Sequence, residues 1–135
     1  MPTLKLEIVT PEAKTYSDDV DMVTLPAVEG EMGVFPQHVP LVTQIVSGEV
    51  IVRKGGQDYF LAVGDGFVEI TAERVAIMTD MAIAAENIDA AKAEEARHRA
   101  EARLAEKLDD VEAAAVSASL AHSLAQLKVK HRLRH

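Results

Sequence analysis

All seven glycines of this 135-residue chain lie before residue 67, and all five prolines lie before residue 41. The five aromatic side chains, Tyr16, Phe35, Tyr59, Phe60 and Phe67, stop at the same point. From Ala82 onward the sequence is mostly Ala, Glu, Leu, Arg and Lys. Glycine and proline punctuate strands and turns, whereas the later residues are the strong helix formers. The chain is therefore expected to be α+β, with a β domain over residues 1–86 and an α-helical region over residues 87–135, joined near residues 79–87.

Charge divides at the same place. Residues 1–86 hold 14 acidic and 5 basic residues, net −9, and residues 87–135 hold 8 and 9, net +1, for the total of −8. An acidic chain of this kind lacks the basic field that phosphate backbones require, which excludes general nucleic-acid binding. With no cysteine there are no disulfides, thiolate metal sites or cysteine nucleophiles. The start, Met1-Pro2-Thr3-Leu4-Lys5-Leu6, enters alternation at once and has no signal-peptide pattern. No apolar run approaches the roughly 18 residues that span a bilayer, so direct membrane insertion is not expected.

The first part reads as about eight to ten short strands between turn signals, which predicts a β-sandwich or flattened barrel. Leu4 to Val9 ends at Pro11, and Val20 to Leu25 ends at Pro26. Val50 to Arg53 turns through Gly55-Gly56 into Tyr59 to Val63, and Phe67 to Thr71 turns into Arg74 to Met78. The second part reads as two helices in an antiparallel hairpin. Asp89 is placed to cap the first helix and Asp109-Asp110 the second. The stripes are Ala93, Ala96, Ala100, Leu104 and Leu108, then Val116, Leu120, Leu124 and Leu127. The predicted contact face sets Ala93, Ala96 and Ala100 against Ala114, Ala118, Ala121 and Ala125. Alanine methyls bury little area. The result is either a stable Ala-rich hairpin or one near balance between docked and opened states.

The most distinctive stretch is Gly30-Glu31-Met32-Gly33-Val34-Phe35-Pro36-Gln37-His38-Val39-Pro40-Leu41-Val42. Its glycines and prolines specify an unusual path, read here as a loop displaying Glu31 and His38. No second histidine, nucleophile or metal ligand accompanies them, so the stretch is read as a contact surface and not as a catalytic site. His98, His122, His131 and His135 fall at no metal-ligand spacing and are read as bystanders.

This stretch, the opening Leu6-Glu7-Ile8-Val9-Thr10-Pro11-Glu12, and Gly64-Asp65-Gly66-Phe67-Val68-Glu69-Ile70 recur in order with Ile88-Asp89-Ala90-Ala91-Lys92-Ala93 and the late Leu120-Ala121 to Val129 run. In that order and spacing the chain resembles the epsilon subunit of F-type ATP synthase over nearly its whole length. The resemblance implies a ten-stranded β-sandwich followed by a helical hairpin, seated on the rotor as a non-catalytic subunit. It implies that Glu31, Gly33, His38 and Pro40 face the membrane c-ring, and that another sandwich face packs on the gamma subunit. The chain would then help transmit proton-driven rotation, peripherally, at the cytoplasmic face of a bacterial inner membrane.

The resemblance also implies that the helices form a regulatory arm able to extend into the catalytic alpha/beta hexamer and inhibit ATP hydrolysis. Its basic end, Lys128, Lys130, Arg132 and Arg134, has no acidic residue after Glu112. That end suits either acidic partner segments or simply the negative end of a helix dipole. No cofactor is required. ATP as a regulatory ligand is implied through Ile88, Asp89, Lys92, Ala93 and Arg99, with Lys92 where the family's binders carry arginine. On the second helix this chain offers His122 and Gln126 in place of arginines. A rival reading is a stand-alone nucleotide sensor whose hairpin closes on ATP, although such a sensor has no use for the 31–38 stretch.

Overall fold

The computed structural model describes residues 2–12 and 14–132. Ten strands come first: β1 (Leu4–Val9), β2 (Lys14–Val20), β3 (Met22–Ala27), β4 (Gly30–Val34), β5 (Leu41–Ile45), β6 (Gly48–Lys54), β7 (Gln57–Val63), β8 (Gly66–Ile70), β9 (Arg74–Thr79) and β10 (Ala82–Ala84). A 3-10 turn at Ala85–Asn87 leads into helices α1 (Ala90–Leu104) and α2 (Asp110–Arg132). None of the described helices is long and apolar enough to cross a membrane.

The strands form one curled sheet in the order β10-β7-β6-β3-β5-β8-β9-β1-β2, with β4 on the remaining edge of β3. Alternation drives it. Leu4, Leu6 and Ile8 of β1 point inward and are buried, while Lys5 and Val9 point out. The inner face is packed with Leu, Ile and Val alone, and Tyr16, Met32, Ala82 and Ala84 lie at its margin. The pairing is antiparallel except that β1 runs parallel to β9, Lys5 opposite Arg74. Curling brings β2 alongside β6, where the Lys54 ammonium hydrogen-bonds Asp18 and holds that carboxyl below its usual range.

Pro26 does not end a strand, as the sequence suggests. It lies within β3 opposite Glu31. Its carbonyl accepts from the Val46 N–H at 2.8 Å, so the missing proline N–H falls on the same edge, where pairing with β6 has ended at Thr24 and pairing with β5 begins at Ala27. The Gly64-Asp65-Gly66 run joins β7 to β8 at two close approaches. A Cβ on Gly66 would stand 1.9 Å from the Met78 carbonyl oxygen, and one on Gly64 would stand 1.9 Å from Asp80 Oδ1 and 2.7 Å from His122 Nε2. Between them Asp65 Oδ1 accepts from the Ser47 N–H at 2.8 Å, and the Thr79 hydroxyl donates to the Gly64 carbonyl at 2.9 Å.

The helices start where the sequence places them. Asp89 caps α1, its carboxylate accepting from the Lys92 N–H at 3.1 Å, and Asp109 accepts from the Glu112 N–H at 2.7 Å at the head of α2. Packing departs from the predicted stripes. Ala114 and Ala118 are exposed, and the groove between the helices is lined instead by Ala96 and Ala100 against Ala115, Val116 and Ser119. Leu124, assigned to the apolar stripe, is 47% exposed, whereas Ser123, Ala125 and Val129 are buried. The reason is that α2 rests on two supports, α1 and the sheet. Ala125 and Val129 seat it on Ala62, Ala85 and Ile88, with Phe60, Met81 and Ile83 packed alongside. On α1, Arg97 pairs with both Glu94 and Glu101, and among the described residues no Glu95–Arg99 ion pair forms.

Candidate functional site

The 30–42 stretch runs along β4 and through the connection into β5. Glu31 and Gly33 are strand residues of β4, opposite Pro26 and Thr24, so they do not belong to a loop. Both are exposed, and a Cβ at Gly33 would meet only the flexible end of Met22, at 2.9 Å. His38 and Pro40 do lie on the connection to β5. That connection is set by Gln37, whose φ of 67° is left-handed and whose N–H donates to the Ala72 carbonyl at 2.7 Å. His38 Nδ1 lies 2.6 Å from the Val39 carbonyl oxygen, an acceptor, so Nδ1 carries the proton. The polar residues singled out in the sequence are thus accompanied by an apolar set that was missed. Phe35, Val39, Val42 and Val28 are each more than half exposed. The legible signal was a Phe-Pro and a Val-Pro in a turn with nothing inward to meet.

A second apolar row crosses the outer face of the sheet. Met78 of β9 is paired with Phe67 of β8 on one side and with Val9 of β1 on the other. All three side chains are exposed, Phe67 by 56%. Charged residues border the row, with Glu7 contacting Arg74 at 3.3 Å and Lys5 at 3.9 Å. Single exposed apolar residues are ordinary on any surface, but contiguous ones mark a contact face.

Helix α2 is tied to the sandwich by polar contacts. His122, which belongs to no metal-ligand group among the described residues, packs its Nε2 3.1 Å from Asp80 Oδ1, directly over Gly64. Of the basic end, Arg132 contacts Glu49 of β6 and Lys130 donates to the Ala85 carbonyl at 3.4 Å, while Lys128 is exposed. Arg134 lies outside the described residues.

Of the residues assigned to ATP, Ile88, Asp89, Lys92 and Ala93 lie together at the head of α1, and Arg99 lies further along the same helix. Ile88 and Ala93 are buried, and the Asp89 carboxylate is taken by its capping bond. Lys92 is exposed, and Arg99 lines the inter-helix groove beside Arg103, which is itself held by Glu106 and Glu112. His122 and Gln126 line a different pocket with Glu12 and Asp80. The lining of that second pocket carries two carboxylates and no guanidinium group. Among the described residues no group of three or more His, Asp or Glu could hold a metal ion.

Residues 3–85 match the beta-sandwich domain of the ATP synthase delta/epsilon chain, and residues 86–131 match its long alpha-helix domain. This chain belongs to the ATP synthase delta/epsilon family. Among delta/epsilon relatives, the ATP synthase epsilon chain of Dehalococcoides mccartyi is 43% identical over 99% of this chain and 96% of its own length. That of Halorhodospira halophila is 38% identical over 99% and 96%. The delta/epsilon fold recurs in the Euglena gracilis mitochondrial ATP synthase, with a TM-score of 0.77 and 23% identity over all of this chain and 83% of that one.

Proposed function

We propose that this chain is a non-catalytic central-stalk subunit of an F-type ATP synthase. It joins the gamma subunit to the c-ring so that ion-driven rotation reaches catalytic sites on other subunits. The observation that carries this reading is the family match, which runs through both the sandwich and the helices in order. The two exposed apolar sets give the joint its surfaces. The Phe35, Val39 and Val42 end, with Glu31 and His38, is assigned to the c-ring, and the Val9, Met78 and Phe67 row to gamma. The chain is peripheral, at the cytoplasmic face of an energy-transducing inner membrane.

The helical hairpin is the regulatory part of this proposal. Released from the sandwich, it carries Lys128, Lys130 and Arg132 towards acidic segments of the alpha/beta hexamer and slows ATP hydrolysis. No cofactor is required, and ATP would act only as a weak regulatory ligand, because Lys92, His122 and Gln126 lack the bidentate fork of arginine. The test is ATP hydrolysis by the reconstituted complex with the full chain and with one ending at Glu86. A rise in hydrolysis on truncation, with proton pumping retained, is expected. Unchanged hydrolysis would remove the inhibitory arm from the proposal, and loss of coupling would place the joint in the helices.

A further inference from the structure

One buried charge lies at the seam between the two parts. Glu49 of β6 sits opposite Ala62 of β7 on the face that α2 covers, and its side chain is only 3% exposed. A carboxylate removed from water needs a partner. Its cation is Arg132, 83 residues later, in the last turn of α2, with a side chain that is still 45% exposed. Arg132 Nε donates to Glu49 Oε2 at 2.8 Å, and its guanidinium carbon lies 5.3 Å from the centre of the Phe60 ring. Nη2 is 2.8 Å from Oε1 but off the angle of a straight hydrogen bond, so Oε1 is in ionic contact without a hydrogen bond of its own. The remaining seat is apolar, with Ala125 and Val129 on Ala62, Ala85 and Ile88, and Phe60, Met81 and Ile83 at its margin.

We propose that Glu49 and Arg132 form a latch that makes docking of α2 conditional on the Arg132 charge. Three states differ in how Glu49 is treated. With α2 docked and Arg132 in place, the carboxylate is paired. With α2 lifted away, it is hydrated. With α2 docked and the arginine missing or drawn elsewhere, it is buried and unpaired, which is the costliest of the three. An acidic surface that captures Arg132 therefore releases the whole helix from the sandwich, and docking and capture exclude each other. The latch follows from the seam alone, whereas capture by an acidic surface rests on the role proposed above.

The test uses the full isolated chain. Because it has no native cysteine, Gln57→Cys and Ser117→Cys, both at exposed positions, accept spin labels that report the separation of α2 from the sandwich. Arg132→Gln is expected to lower the docked-to-undocked ratio about tenfold or more, since it strands a buried carboxylate. Glu49→Gln alone should change the ratio by less than about threefold, because the half-exposed arginine stays solvated. The double variant Glu49→Gln, Arg132→Gln should recover most of the loss, which a purely packing role for Arg132 would not allow. An Arg132→Gln ratio within twofold of the parent, or a double variant no better than Arg132→Gln, would overturn the latch. Far-UV circular dichroism on each variant separates undocking from unfolding.

Discussion

The sandwich and the hairpin are built by opposite means. The sandwich closes around large aliphatic side chains, with Leu6, Ile8, Leu25, Ile45 and Ile77 wholly or almost wholly removed from water. The hairpin buries Ala93, Ala100, Ser123, Ala125 and Val129, and leaves Leu104, Val111 and Leu124 exposed. At about 25 cal/mol per Å² the first supplies the stability of the chain, and the second supplies little more than its own docking. Polar contacts therefore have proportionally more influence at the seam than in the core. The difference teaches that one part serves as a fixed body and the other as a part that can be moved.

The largest effect should come from the core. Ile77→Ala is expected to cost about 3–4 kcal/mol and to lower the urea midpoint of the whole chain. Val129→Ala, although equally buried, should cost about 2 kcal/mol or less and should loosen α2 while the sheet midpoint holds. Equal loss of sheet stability in both would erase the contrast. The two glycines sharpen it. Gly66→Ala presses a methyl on backbone and should destabilise the sheet by about 2 kcal/mol, within the usual range for overpacking. Gly64→Ala presses on the Asp80 and His122 side chains, so it should appear as undocking of α2 in amide exchange, with the sheet largely intact.

Smaller still is the cap of α1. Asp89→Ala should cost about 1 kcal/mol, read as lost helicity and faster exchange at the Lys92 amide. The smallest effect is a pH effect at Asp109. The Glu112 backbone N–H holds its carboxyl below the ordinary value of 3.8. A depressed folded value means that the contribution is complete above the ordinary value and is lost as pH falls through the folded one. Protection of the Glu112 amide should therefore be flat from pH 5 to 8 and decline only below about 3.8. A decline at higher pH would assign the cap elsewhere.

Local chemistry was legible in the sequence and long-range pairing was not. Asp89 and Asp109 declared their caps, and alternation declared β1 and the β6–β7 turn, because each depends on neighbours within a few residues. The seat of α2 was misread because a leucine stripe predicts one buried face, whereas a helix with two supports buries two narrower ones. Glu31 was misplaced because Pro26 looked like a strand end until the passage of β3 from β6 to β5 explained it. Neither the Glu49–Arg132 pair nor the His122–Asp80 pair has any signature along the chain, since 83 and 42 residues separate the partners.

The parallel pairing of β1 with β9 also sets an order of events during synthesis. Lys5 donates its N–H to the Glu73 carbonyl at 2.8 Å, so the first strand cannot be completed until the ninth has left the ribosome. At roughly 5–20 residues per second that is a delay of several seconds, during which Leu4, Leu6 and Ile8 have only β2 beside them. The helices are made last and need only near neighbours, so they form quickly. The movable part thus arrives at a body that has just been finished, and its first docking is also the first occasion on which Glu49 leaves water.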